Sequence, residues 1–281
     1  MDSKHHAKIS PLGAGTSKKQ WNAVIYDKQD SVQMIWANGF LKKLFFPPNL
    51  DILDVGCGSG RVTKAIYDRF SPRTLQGIDL DKSMVEHARK LFKGMKSVDF
   101  LQGDVQAKDA LISISPVDVV FSFSCLHWIP NHVAFLSNII QKLKPTGGKL
   151  VLYCAPKISV SDRIDNARKA VLAKRKDWEA KVLEIEKKPH FCPDMSELRQ
   201  QLVDVGFIPV YMNIVRPEIV FSSRGEFERW IAGWLPHLPY LGDEGELFIR
   251  AIVDEYIKLH PLQDDGLHYI DYMLEVIAEK I

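Results

Sequence analysis

The stretch Asp51-Ile52-Leu53-Asp54-Val55-Gly56-Cys57-Gly58-Ser59-Gly60 decides the fold. A short apolar run ends in an acid, and the backbone then turns through three alternate glycines. Arg61-Val62-Thr63-Lys64-Ala65-Ile66 comes next with helical spacing, so the sequence predicts strand, turn and helix, the opening unit of a doubly wound α/β domain. Glycines at such a turn let the backbone pass close beneath a ligand, and the helix after it offers unpaired N–H groups. A nucleotide-like cofactor is the expected ligand.

Spacing narrows the choice. A dinucleotide fingerprint needs glycine at position 61, where this chain has Arg61. A second strand, Thr74-Leu75-Gln76-Gly77-Ile78-Asp79, ends in an acid about one βα unit later, suited to the hydroxyls of a ribose. A third acid closes Val98-Asp99-Phe100-Leu101-Gln102-Gly103-Asp104, where it suits an exocyclic adenine amine. Hydroxyls, an amine and net positive charge are all present in S-adenosylmethionine. Asp79 and Asp104 also read as simple caps of the segments after them.

On these motifs the chain resembles the class I S-adenosylmethionine-dependent methyltransferases: Asp54 to Gly60, Gly77-Ile78-Asp79 and Gly103-Asp104 match that family's cofactor motifs in order. The resemblance implies a Rossmann-like sheet of about seven mostly parallel strands with an antiparallel last strand, plus a helical cap. It implies S-adenosylmethionine as cofactor, held by Asp54, Gly56, Cys57, Gly58, Gly60, Asp79, Leu80, Met84, Asp104, Val105, Ser122 and Phe123. Leu80 and Met84 read equally well as core residues of their helix.

Length and charge bound the rest. The 281 residues suit one α/β domain with insertions, and a net charge of +2 lacks the electrostatic footprint of a nucleic-acid binder. No apolar run reaches membrane-spanning length and the basic N-terminus has no apolar core segment, so a soluble, cytoplasmic protein is expected. Cys57, Cys125, Cys154 and Cys192 form no C-x-x-C pair and read as buried free thiols, and the nine histidines lack metal-binding spacing, so no metal is expected. Oligomeric state is not legible.

The domain organisation expected is a loose arm over residues 1–20, a cofactor-binding core over 21–156, and 157–281 carrying the rest of the sheet with cap insertions at about 157–193 and 223–262. Just before the core, Trp21 and Tyr26 resemble the N-terminal lid of the trans-aconitate and malonyl-carrier carboxyl methyltransferases, which implies that Tyr26 covers the methionine end of the cofactor. Both aromatics also read as anchors of the first helix. Val117 to Phe123 predicts a buried strand, and the residues just after it face the ligand at the switch point. There Ser124-Cys125-Leu126-His127-Trp128-Ile129-Pro130, with Gly147-Gly148 before the next strand, resembles the trans-aconitate methyltransferase pattern. His127 is expected beside the transferred methyl as a hydrogen-bonding group, or as a packing histidine.

Beyond Pro156, residues Ser161 to Lys188 read as one long charged helix. Phe207 to Val215 predicts a long strand, and the chain from His268 to Ala278 a final strand, antiparallel at the sheet edge. Trp128, Tyr153 and Trp234 are candidate acceptor-binding residues, with Arg163, Arg168, Arg224 and Arg229 as candidate partners for an acid. A carboxylate acceptor is ionised at neutral pH and needs no general base. Methyl transfer to a carboxylate oxygen of a small molecule is the first expectation. Transfer to nitrogen or carbon of another metabolite or to a carrier-bound acyl group, and a non-catalytic cofactor-binding module, are the alternatives.

Overall fold

The structure, a computed structural model, describes residues 31–157, 164–186, 191–235 and 238–281. The proposed lid residues Trp21 and Tyr26, the arm over residues 1–20 and Arg163 lie outside the described residues.

After helix α1 (Ser31–Leu41), the chain alternates strand and helix: β1 (Asp51–Val55), α2 (Arg61–Phe70), β2 (Thr74–Asp79), α3 (Lys82–Leu91), β3 (Val98–Gln102). It then passes through β4 (Val119–Phe123), a 3-10 turn (Leu126–Trp128), α4 (His132–Lys142) and β5 (Lys149–Cys154). Apolar residues at period two in β4 face both layers. Val120 joins Leu136, Ile139, Leu150 and Leu202 in one core cluster. On the other face Phe121 stacks on Phe70 at 5.7 Å and Phe123 on Phe40 at 5.8 Å.

The remaining elements are α5 (Ile164–Lys174), α6 (Lys176–Glu186), α7 (Met195–Val205), β6 (Phe207–Val215), β7 (Glu218–Phe221), α8 (Arg224–Trp234), α9 (Leu238–Leu241), α10 (Gly245–Leu259), β8 (Leu267–Ile270) and β9 (Met273–Lys280). The seven-stranded sheet runs β3-β2-β1-β4-β5-β9-β6, and β7 and β8 form a separate two-stranded sheet. Strands β1 to β5 are parallel and β9 is antiparallel to both its neighbours. The chain order reverses between β1 and β4, the switch point at whose carboxyl ends such sheets bind ligands.

Two expectations are corrected. The segment read as one charged helix is two, broken at Arg175. Lys174, Arg175 and Lys176 would crowd like charges on one helix; instead the Arg175 guanidinium stacks 3.7 Å from the Trp178 ring centroid and pairs with Asp177. The segment from His268 to Ala278 is two strands, because at Asp271 the chain leaves β8 and joins the main sheet as β9, one place in from the rim.

The described residues divide into two compact units, the first holding the seven-stranded sheet. The second comprises α5, α6, α8, α9 and α10, so the two insertions pack on one another. Its interior is aromatic, with Trp178 against Phe248 at 5.5 Å, Phe227 against Tyr256 at 5.0 Å and Trp230 against Trp234 at 5.5 Å.

Candidate cofactor and acceptor site

The glycine turn after β1 has the geometry its sequence requires. Gly56, Gly58 and Gly60 all take left-handed conformations, with φ of 74°, 53° and 87°, which side chains disfavour. The amide of Gly56 donates to the Ile78 carbonyl at 2.8 Å, tying the turn to the end of β2. The amide of Gly58 donates to Asp79 Oδ2 at 2.9 Å, and the amide of Asp81 to Asp79 Oδ1 at 2.9 Å. A Cβ on Gly58 would meet nothing within 4 Å, so the turn is open there.

Beneath the turn lies Asp54, buried, accepting a 2.6 Å hydrogen bond from Thr63 Oγ1 of α2. Burial pushes its carboxyl up to about 7; the Thr63 hydroxyl opposes the shift and the nearby Asp79 charge adds to it. Burial also raises Asp79, partly offset by the amides of Asp81 and Gly58. Two poorly solvated carboxyls next to an open loop suit a cationic ligand, which would restore their charge.

The turn after β4 closes against this one. Ser124 holds φ of 52° while its amide donates to the Tyr153 carbonyl at 2.6 Å. The next residue, Cys125, lies so near Gly56 that a Cβ there would fall 2.3 Å from Cys125 Sγ. His127 comes two residues later, its Nδ1 accepting from the Ala155 amide at 3.4 Å, so the neutral ring carries its proton on Nε2. Its carbonyl accepts from the Phe191 amide at 2.9 Å.

Asp54, Gly56, Gly58, Gly60 and Asp79 are thus brought together, with Leu80, 68% exposed, beside Asp79. Asp104 is exposed and its Oδ1 accepts from the amide and side chain of Gln106, the local capping role; its other oxygen takes no hydrogen bond among the described residues. Five further expected cofactor residues have buried side chains. Cys57 packs with Val85, Ala88, Phe92 and Phe100, leaving only its backbone at the turn. Met84 is 3% exposed, Val105 lies in the core cluster and Ser122 has no exposed surface, because inward-facing helix and strand positions serve packing first. Phe123 is buried in the aromatic face.

Of the acceptor candidates, Trp128 is half-buried beside His127 at 5.5 Å between rings. Tyr153 is buried between Phe40 and Phe123. Trp234 lies within the second unit, its indole N–H buried with no acceptor among the described residues. There Arg168 pairs with Asp165, Arg224 with Glu228 and Asp254, and Arg229 is exposed. Sequence reasoning missed Thr63, which bonds Asp54, and Asp81, whose amide bonds Asp79; each reads locally as an ordinary helix or cap residue.

Residues 52–147 match the family described as methyltransferase domain. The trans-aconitate 2-methyltransferase of Rhizobium leguminosarum bv. trifolii is 24% identical, over 88% of this chain and 93% of its own. The malonyl-[acyl-carrier protein] O-methyltransferase of Acetivibrio thermocellus is 33% identical over 45% and 44%. In fold, phosphoethanolamine N-methyltransferase 2 of Haemonchus contortus, solved in complex with S-adenosyl-L-methionine, superposes with a TM-score of 0.57 at 17% identity, covering 92% of this chain and 56% of that one. The chain is an S-adenosylmethionine-dependent methyltransferase of the class I fold. Within that class it is similar to the trans-aconitate and malonyl-carrier methyltransferases. Among the described residues no helix is long and apolar enough to cross a membrane.

Proposed function

We propose that the chain moves the methyl group to a carboxylate oxygen of a small-molecule acceptor. The cofactor supplies an electrophilic methyl on a cationic sulfur; the protein's part is to align the acceptor atom with it and keep water out. On this reading Gly58 and Asp79 hold the nucleoside, Asp54 sets the charge beneath the turn, and His127 hydrogen bonds to the acceptor from Nε2.

The observation that carries the reading is what the turn after β4 presents to an acceptor, a hydrogen-bond donor and thiols held neutral, while the Asp54 and Asp79 carboxyls are engaged at the cofactor turn. His127 presents a donor, and burial holds the Cys125 and Cys192 thiols at about 12 and the Tyr153 phenol higher still. A neutral amine, thiol or hydroxyl gains from deprotonation, whereas a carboxylate is already the nucleophile at neutral pH. The two relatives above support the choice, since aconitate and malonyl groups carry carboxyls. A panel of free acids, amines and thiols incubated with methyl-labelled cofactor tests it: base-labile methyl esters are expected, and label passing only to amines or thiols would refute it.

A further inference from the structure

Asp271 is a partly buried acid that the cofactor turn leaves unused. It lies in the link between β8 and β9, and β9 enters the sheet with Leu274 opposite Cys154 of β5 and Met273 opposite Val215 of β6. Asp271 therefore stands at the carboxyl edge of the parallel strands, the edge that carries Asp54 and the turn after β4. Only β5 separates β9 from β4, two strand spacings or roughly 10 Å across the sheet, and Asp271 lies a further four residues beyond Glu275, which is level with Tyr153 and with Phe123 at the end of β4, so it stands more than roughly 10 Å from that end. At that distance it cannot take a proton at the reacting atom, but it can reach the far end of a small acceptor.

Its surroundings are polar on the protein side and incomplete. Tyr269 Oη donates to Oδ2 at 2.9 Å, the Tyr272 amide donates to Oδ1 at 2.8 Å, and its own amide donates to the Pro217 carbonyl at 3.2 Å. Its charge is felt by the Tyr153 phenol and the Cys192 thiol, and Cys192 adjoins Phe191, whose amide is bonded to His127. Each carboxylate oxygen keeps an unused lone pair. No lysine or arginine among the described residues forms an ion pair with it. Glu275, buried on β9, shows the contrast: Lys43 Nζ donates to it at 2.7 Å and Tyr211 Oη at 2.8 Å. Desolvation pushes the Asp271 carboxyl up to about 6, which leaves it mostly anionic at neutral pH without a countercharge. An anion so placed is costly until a donor reaches it.

We propose that Asp271 selects the acceptor by taking a hydrogen bond from a hydroxyl or ammonium group at the end remote from the accepting carboxylate, at least roughly 10 Å away. The proposal rests on the carboxylate reading above and on the acceptor's carboxyl lying beside His127.

Octanoate, ω-hydroxyoctanoate and ω-aminooctanoate serve as probes, titrated by calorimetry into the full chain saturated with S-adenosylhomocysteine and offered separately as methyl acceptors. The wild type is expected to bind the hydroxy or amino acid at least tenfold more tightly than octanoate, and which of the two gains more identifies the donor. Asp271→Leu should abolish the preference, leaving octanoate and S-adenosylhomocysteine affinity unchanged. Asp271→Asn, an isostere that guards against misfolding, should weaken the amino acid most. Equal binding of all three probes, binding of none, or a uniform loss in Asp271→Leu would overturn the proposal. An Asp271-dependent preference without ester formation refutes the reaction reading alone; ester formation without the preference refutes the role of Asp271 alone.

Discussion

Replacing Asp54 with asparagine removes the charge beneath the glycine turn while keeping an oxygen for the Thr63 hydroxyl. Burial holds this carboxyl at about 7 in the folded chain against an ordinary 3.8. Between those values the folded state keeps a proton that the unfolded chain has released. This contribution to stability is therefore full at low pH and is lost as pH rises to about 7. At about 1.4 kcal/mol per pH unit, fading as the group ionises near 7, the interval from pH 5 to 8 corresponds to a loss of about 3 kcal/mol. Asp79 and Asp271, both raised by burial, act in the same sense. His132, lowered by burial, acts in the opposite one, since its contribution is lost as pH falls. The difference between wild type and Asp54→Asn isolates the one group. Urea unfolding of both proteins without cofactor, from pH 5 to 8, should show the variant gaining about 3 kcal/mol relative to wild type as pH rises. A cationic cofactor favours the carboxylate, so its binding should release a proton and tighten with pH up to about 7, an effect reduced in the variant. Parallel stability curves for the two proteins would refute the reasoning.

Asp79→Ala strips the acceptor from the Gly58 and Asp81 amides as well as the carboxylate from the ribose position. Calorimetry should show cofactor affinity reduced on the order of 100-fold, and a change of only a few-fold would remove Asp79 from the site. Gly56→Ala combines a φ of 74° with a contact of 2.3 Å to Cys125 Sγ. It should cost more than about 2 kcal/mol, with all but about 1 kcal/mol restored by adding Cys125→Gly. A double variant no more stable than the single one would locate the cost elsewhere. Gly58→Ala meets open space at a φ of 53°, so it should lower the melting temperature only slightly yet weaken cofactor binding clearly, since it disturbs the amide that Gly58 gives to Asp79.

How much of the molecule is legible in the sequence depends on the range over which each feature is encoded. The turn from Asp54 to Gly60 is written within a few residues: each glycine is needed for its own φ, and Arg61 in place of the third glycine of a dinucleotide fingerprint argues against that geometry. Asp79 was legible for the same reason, as the end of the adjacent strand. The direction of a side chain within a buried element is a different kind of fact. Cys57 turns into the sheet because Gly77 leaves room there: a Cβ on Gly77 would lie 3.0 Å from its Sγ. Nothing within the turn itself encodes that vacancy. The left-handed Ser124 shows the converse, a strained backbone without glycine, held by its bond to the Tyr153 carbonyl on the neighbouring strand. Asp271 lies furthest from local reading. Alternation from His268 onward predicts one strand through it, yet its amide and carboxylate bonds bend the chain, and register with Cys154 and Val215 carries it to the ligand edge. A residue whose role is set by pairing with strands formed far earlier in the chain has no local signature, so acceptor selection is the part of this protein for which the fold has to be known first.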